Sequence, residues 1–455
     1  MPGVSGFRPM AASAKPGGAR LRIAVVGSGI SGLSTAWLLS SRHDVVLYEQ
    51  APRLGGHSHT VKGPGDIPVD MGFIVFNRLT YPNLTALFAH LGVATRSSDM
   101  SFAASLDGGG FEYSGADLRG LFAQKRNLLR PRFWSMLLGI RRFYRNAERH
   151  AAHGADLTLG EILTDGNYGP AFRDDHLLPM ASAIWSSTPA DMLSFPALAF
   201  IRFHANHGLL QITGRPVWET VSGGSIEYVD RMAASLRGCI RTGAGAVCVL
   251  RTSAGAEVID ALGNGDTFDQ VVIATHADQA LAMLADPTPE ERALLGAFRY
   301  QRNRAILHQD PRFMPCRRAA WASWNYIGGR GRSGCFTYWM NRLQHIPETT
   351  PLFVTLNPLE DPAPDTIIHR EDYDHPVFDA KALAAQSRLW QLQGTRRTWF
   401  CGAHFGAGFH EDGLQAGLAV AEQLGGVRRP WTVPNESGRI ALLPRTAPVM
   451  YDPAA

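Results

Sequence analysis

Apolar and polar positions follow two different periods along this chain, and the first change of period carries the most information. Leu21–Val26 (LRIAVV) is a mainly apolar run of the kind a strand buried on both faces presents. Gly27 ends it, and Ile30, Leu33, Ala36, Trp37 and Leu38 then recur at helical spacing up to Ser40. A second apolar run, Val45–Tyr48 (VVLY), follows. Strand, helix and strand in so short a span predict a parallel βαβ unit, because parallel pairing needs a crossover of this kind.

Helical spacing further predicts helices over Tyr81–Leu91 and Arg132–His150. Gly169-Pro170 and Thr188-Pro189 break the mainly helical stretch that runs to Leu210. Strand patterns return at Val247–Leu250, Glu257–Ala261 and Val271–Thr275, then at Ala305–His308, Phe336–Trp339 and Leu352–Leu356. Trp399–Gly402 predicts a last buried strand and Gly413–Gln423 a last helix. The alternation predicts an α/β protein whose first domain is discontinuous, formed by residues 21–95, 211–286 and 395–428. An inserted α+β substrate domain, or cap, takes 96–210 and 287–394. Residues 1–20 read as a solvated leader and 429–455 as a tail.

Composition narrows the function classes. At 455 residues the chain exceeds what one core sustains. Its 44 basic and 40 acidic side chains leave a net charge of only +4, so no nucleic-acid partner is expected. The five cysteines form no CxxC pair and no His/Cys metal spacing, which predicts free thiols, no metal and a reducing, cytoplasmic setting. No window reaches the roughly 20 apolar residues of a spanning helix, and the leader lacks the apolar run of a signal peptide.

The glycines between the first strand and helix carry the candidate chemistry. Gly27-Ser28-Gly29-Ile30-Ser31-Gly32 is a G-x-G-x-x-G turn. Its first glycine permits the tight turn, its second the approach of a pyrophosphate, and its third the packing of helix on strand. The helix N-terminus then offers free N–H groups to phosphate. Glu49 follows 22 residues after Gly27, where a carboxylate accepts from both ribose hydroxyls and repels a 2′-phosphate. Arg53-Leu54-Gly55-Gly56-His57 adds a cation and a second glycine turn, a further clamp that an NAD site does not need. The sequence therefore predicts a Rossmann-type FAD-binding domain.

The segments GSGISGLSTAWLL, YEQAPRLGGHSHTV, VDMGFIVFN and WFCGAHFGAGFHEDGLQAG make the chain resemble the amine-oxidase-like FAD proteins over nearly all of residues 21–426. More narrowly, it resembles the flavin-binding region that precedes plant cyclopropane fatty acid synthases, and their stand-alone bacterial relatives. The resemblance implies that Gly27, Gly29, Gly32, Glu49, Arg53, Gly55 and Gly56 hold the ADP half, with Ser28, Ile30, Ser31, Gln50 and His57 beside them. It implies that the Val247 backbone faces the adenine. Gly402 and the segment His410–Gln415, including Asp412, Gly413 and Leu414, would lie against the ribityl chain and isoalloxazine. It places Arg304 where amine oxidases carry a lysine, and offers Phe405 and Phe409 for their aromatic cage. The cofactor implied is non-covalent FAD. A cyclopropane fatty acid synthase is implied as a partner, with no room for a methyltransferase domain in the chain itself.

His404 and His410, which bracket a glycine-rich loop, are the candidate catalytic residues, because imidazole can move a proton near neutral pH. His57, His59 and Glu411 are further candidates for proton transfer or positioning, with phosphate contact or solvent exposure favoured for the first two. Structural bonding or substrate contact is favoured over metal ligation for His204 and His207. The mixed segment Arg130–Arg145 fits either a domain-capping helix or a helix on an anionic membrane surface, the peripheral contact a lipid substrate would require. These readings predict an FAD-dependent oxidoreductase, an oxidase or desaturase acting on a hydrophobic substrate, lipid acyl chain or amine. The alternatives are a non-catalytic accessory of a cyclopropane synthase and a redox-neutral isomerase.

Overall fold

A computed structural model describes residues 19–153, 157–185, 188–206, 209–210, 214–330 and 334–442. His207 and most of the leader and tail therefore lie outside the described residues.

The first strand, Arg22–Val26, sits in the middle of a five-stranded parallel sheet ordered Ile240–Arg241, Asp44–Tyr48, Arg22–Val26, Gln270–Ile273, Thr398–Phe400. Four of its five side chains are buried, as a strand covered by helices on both faces demands. The chain leaves this sheet between Tyr48 and Ile240, between Arg241 and Gln270, and between Ile273 and Thr398. The first and last of these excursions build the second large sheet and its helices. Residues Ala246–Arg251, Ala256–Asp260 and Gly265–Phe268 form a separate antiparallel meander beside the parallel sheet.

The second large sheet has seven strands, ordered Ile367–Val377, Arg299–His308, Phe353–Leu356, Cys335–Trp339, Trp324–Gly328, Phe102–Leu106, Phe111–Ser114. All neighbours pair antiparallel except Trp324–Gly328 with Phe102–Leu106. A helical layer covers it, led by Pro131–His153 and Ala197–Asn206. Phe143, Ile162, Phe172, Leu178 and Phe200 form a core of their own there.

The helices Pro289–Leu295 and Ala380–Gln386 belong elsewhere. Leu294, Leu295, Ala382 and Leu389 fill the same core as Ile23, Leu47 and Leu418 around the parallel sheet. The later strands of the seven-stranded sheet thus run from Arg299 to Val377, and Phe102–Leu106 and Phe111–Ser114 complete it from the earlier segment. Thr188-Pro189 and Thr288-Pro289 start helices: each threonine caps the backbone three residues on, and each proline takes the first helical position.

Candidate active site

Each glycine of the first turn has a geometric reason. Gly27 has φ +97°, and a Cβ there would lie 2.9 Å from the Ala274 carbonyl oxygen. A Cβ on Gly32 would fall far inside contact distance of the Gly27 carbonyl. Gly29 is the opposite case, since nothing lies within 4 Å of its built Cβ. The helix Ile30–Leu39 that starts there has no side-chain cap and no acidic residue in its first turn. Its leading N–H groups and positive dipole end thus remain for an anion.

The second glycine turn closes directly on the first. Gly55 (φ +103°) donates its N–H to the Ser28 carbonyl at 3.1 Å. A Cβ on Gly56 would lie 3.1 Å from Gly29 Cα. The Arg53 guanidinium donates to the Gly56 carbonyl at 2.8 Å, which fixes a cation at the junction of the two turns. Glu49 is buried and oriented. Its Oε2 accepts from the Ser28 N–H (2.9 Å) and hydroxyl (2.6 Å), and its Oε1 from the Ala51 N–H (2.8 Å). Of the roughly four acceptor positions of a carboxylate, these take three and leave one on Oε1, where a ribose hydroxyl would donate. The Ala244 N–H donates to the Glu49 backbone carbonyl, and a Cβ on Gly245 would touch Gln50. Val247, two residues on, is exposed.

At the other end of the cradle four histidines from four chain segments converge. His57 lies in the second turn, and its carbonyl accepts from Phe73 N–H at 2.8 Å. Its ring is 5.0 Å from Tyr373, 5.4 Å from His375 and 6.4 Å from His276. His276 caps the helix after the fourth parallel strand and stacks on Tyr300 at 4.3 Å. His404 is buried, and Gly402 is glycine because a Cβ there would meet the His404 ring at 2.6 Å. The Nε2 atoms of His57 and His404 are sealed from solvent and have no hydrogen-bond partner. Burial holds all four rings neutral: His57 is pushed well below its ordinary value, His375 to about 4, His404 to about 3, and His276 downward.

His410 occupies a separate environment. Its Nε2 meets the Tyr228 hydroxyl at 2.7 Å, and that hydroxyl pairs in turn with Ser58. Phe73 stacks on its other face, and burial pushes the imidazole down to about 3. Ser58, Tyr228 and His410 form a continuous chain of exchangeable protons.

Several expectations are corrected. Arg304 points outward, more than half exposed, toward Asp361 and Asp372, because alternation along Arg299–His308 turns Asn303 and Ala305 inward instead. The last helix begins at His410, so Gly413 does not open it; Gly413 N–H bonds to the Phe409 carbonyl, and its missing Cβ lets the helix close on Ser31 and Ile30. The Asp412 carboxylate is spent on Arg439 (2.6 Å) and on Phe409 N–H. Leu414 is wholly buried in the core. Glu411 caps another helix, accepting from the N–H groups of Asn83 and Leu84, and is no proton donor to the site. Phe405 packs on Trp390 in the nucleotide-domain core, and Phe409 stacks on Phe203. His204 is buried with Nδ1 on the Phe200 carbonyl. His59, His369 and Glu371 do bring three donor atoms within 4.8 Å of one another, although the sequence suggested no metal grouping. His59 Nδ1 also meets the Tyr373 hydroxyl at 3.0 Å.

Sequence reasoning missed His276 and His375. His276 was within reach, since it follows the C-terminal end of a parallel strand, where ligands of such sheets gather. His375 becomes a neighbour of His57 only through the cap sheet.

The uncapped helix, the open Gly29, the oriented Glu49 and the two partnerless imidazole nitrogens fit FAD, with the diphosphate at the glycine turns and the flavin toward the histidines. Cys401, next to Gly402, is buried against Thr35 with its thiol pushed up to about 12. Fold and site together define a flavin-dependent oxidoreductase. The model of the flavin containing amine oxidoreductase family matches residues 30–334, and the chain belongs to that family. Among solved structures, it is similar to a putrescine oxidase triple mutant (15% identity, 89% of this chain and 98% of that one, TM-score 0.66). It is also similar to cyclohexylamine oxidase from Brevibacterium oxydans (15%, 89% and 100%, 0.64) and to a fatty acid isomerase from P. acnes (14%, 89% and 98%, 0.63). These likenesses establish the fold. The search of curated proteins gives no match.

Proposed function

We infer that the enzyme oxidises an uncharged, hydrophobic substrate, with a lipid acyl chain ahead of an amine. The observation that carries this is the neutrality of the site: His57, His276, His375 and His404 are all held uncharged by burial. The buried carboxylates Asp70, Glu411 and Asp412 are already engaged within the fold. Asp70 is bonded to Thr60, Ser225 and Gln344, Glu411 to Asn83, Leu84 and Gln415, and Asp412 to Arg439. The lysines among the described residues, Lys62, Lys125 and Lys381, are all exposed. A charged amine would enter such a site at a large desolvation cost.

FAD supplies the hydride acceptor. The chain's own residues hold the diphosphate, exclude water and manage the proton. Burial keeps His410 neutral, and its Nε2 shares a proton with the Tyr228 hydroxyl, which is bonded in turn to Ser58. The resemblance to the flavin-binding region of cyclopropane synthases supports a lipid acyl substrate and such a synthase as partner.

Anaerobic bleaching of the flavin against a panel of acyl lipids, amines and amino acids tests the reading. Acyl lipids are expected to bleach it and charged diamines to leave it yellow. Bleaching by amines alone overturns the substrate assignment. A product of unchanged mass favours isomerisation, and a stable complex with purified cyclopropane synthase without any flavin reduction favours an accessory role.

A further inference from the structure

Eleven large apolar side chains stand exposed on the described surface, and five of them, Leu118, Leu128, Leu129, Trp134 and Leu138, fall within one 21-residue stretch. They are also neighbours in space. Leu118 starts the short helix Leu118–Leu121, which is followed by Phe122, whose ring lies 6.2 Å from Trp134. The Trp134 indole N–H donates to the Leu128 carbonyl at 2.9 Å, which fixes the indole beside Leu128 and Leu129. Leu138 lies one turn beyond Trp134 on the helix Pro131–His153. Leu129 is 88% and Leu138 65% exposed, far more than a domain-capping helix requires.

The inner face of that helix is accounted for, because Phe133, Met136, Phe143 and Ala147 are buried in the two cap cores. The outer stripe continues from Trp134 and Leu138 to Arg141 and Arg145, both exposed. Residues 118–147 hold eight arginines and lysines and no acidic residue. Arg132 is committed to Asp175. Arg119, Lys125, Arg126, Arg141 and Arg145 have no carboxylate partner among the described residues, and Arg126 bonds a backbone carbonyl instead. A row of apolar prongs set in unopposed cations is the complement of one kind of surface: acyl chains beneath anionic headgroups. A protein partner would match the prongs but would need a dense acidic rim, and a nucleic acid would match the cations but leave the leucines in water.

We propose that this face of the cap is a membrane-docking surface, with Leu118, Leu128, Leu129, Trp134 and Leu138 entering the interface of an anionic bilayer and Arg119, Lys125, Arg126, Arg141 and Arg145 holding its phosphates. The docking stands on the surface alone and does not depend on which substrate reduces the flavin. No helix of the described residues is long and apolar enough to cross the bilayer, so the contact is interfacial.

The holoprotein is sedimented with vesicles of phosphatidylcholine alone and of phosphatidylcholine with phosphatidylglycerol. Binding is expected on the anionic vesicles, weakening as salt is raised. The double variants Leu129→Asp/Leu138→Asp and Arg141→Glu/Arg145→Glu should each bind at least about tenfold more weakly, with flavin content and Tm unchanged because all four side chains are exposed. No binding to anionic vesicles at low salt overturns the proposal. So does equal binding by the variants, or a concentration-dependent dimer or DNA complex lost in the same variants without any vesicle binding.

Discussion

The imidazole of His410 lies flat on the ring of Phe73, with centroids 4.0 Å apart and planes 14° from parallel. The stack leaves the edge of the ring to Tyr228, whose hydroxyl meets Nε2 at 2.7 Å. An imidazole fixed on its face and bonded at its edge can exchange a proton without moving, which is what a transfer group needs. His410→Ala is expected to retain FAD and to slow flavin reduction by about 100-fold. Tyr228→Phe removes the hydroxyl bonded to Nε2 and should slow reduction less than His410→Ala does. Stopped-flow reduction at several pH values checks both, and an unchanged rate in His410→Ala removes the residue from the chemistry.

The one free acceptor position of Glu49 gives a quantitative expectation for cofactor affinity. A hydrogen bond to a charged group contributes about 1.5–3 kcal/mol, or roughly 10- to 100-fold in Kd. Glu49→Gln should weaken FAD binding within that range while retaining the preference against a 2′-phosphate only in part. Fluorescence titration of apoprotein with FAD measures it. An unaltered Kd would show that the ribose is held elsewhere.

Two glycines of the first turn separate stability from binding. Gly29 has an ordinary backbone conformation (φ −60°), and a Cβ there touches nothing, so Gly29→Ala should leave the apoprotein's Tm unchanged yet depress FAD affinity by filling the pyrophosphate's approach. Gly32→Ala drives a methyl group into the Gly27 carbonyl, so it should lower Tm as well. If both variants lose stability equally, the open space at Gly29 has another purpose.

Arg304 supplies the negative control. Its ion pairs with Asp361 and Asp372 are exposed and 3.9 Å long, and such pairs contribute about 0–1 kcal/mol. Arg304→Ala should alter neither flavin content nor reduction rate. A large fall in rate would return Arg304 to the site and contradict its outward placement.

The parts legible in the sequence are those in which local backbone demands dictate residue type. Gly27, Gly32, Gly55 and Gly56 must be glycine because of positive φ or close approach, and Glu49 is tied to the end of the second strand. Side-chain direction on the cap strand is harder to read. Ala305, Ile306 and Leu307 are all buried, so the run shows no alternation, and the outward phase of Arg304 is hidden. The start of the last helix is legible in principle, because Glu411 and Asp412 mark a first turn; Gly413 competes with them as a boundary signal. The convergence of His57, His276, His375 and His404 rests on pairings between distant segments, which no local pattern encodes.

Buried neutral histidines also set how the fold responds to acid. His176 and His404 are pushed down to about 3, and His204 and His308 to about 4, in each case chiefly by burial. In the unfolded chain each returns to about 6.5. Above that pH both states are neutral and these groups leave stability unchanged. Below it the unfolded chain takes up protons that the fold refuses, so stability falls as pH drops from about 6.5 toward 4, by up to about 1.4 kcal/mol per pH unit for each group. Carboxylates do not contribute in the upper part of that window unless burial raises them, as it raises Asp70 to about 6. Unlike the histidines, Asp70 binds its proton more readily in the fold than in the unfolded chain, and so opposes the loss. The expected curve is therefore a Tm that is level from about pH 8 to about 6.5 and then declines steeply, accompanied by proton uptake on unfolding. A Tm that stays level down to about pH 5 would mean that the interior histidines accept protons in place, and the neutral site on which the substrate assignment rests would be lost with them.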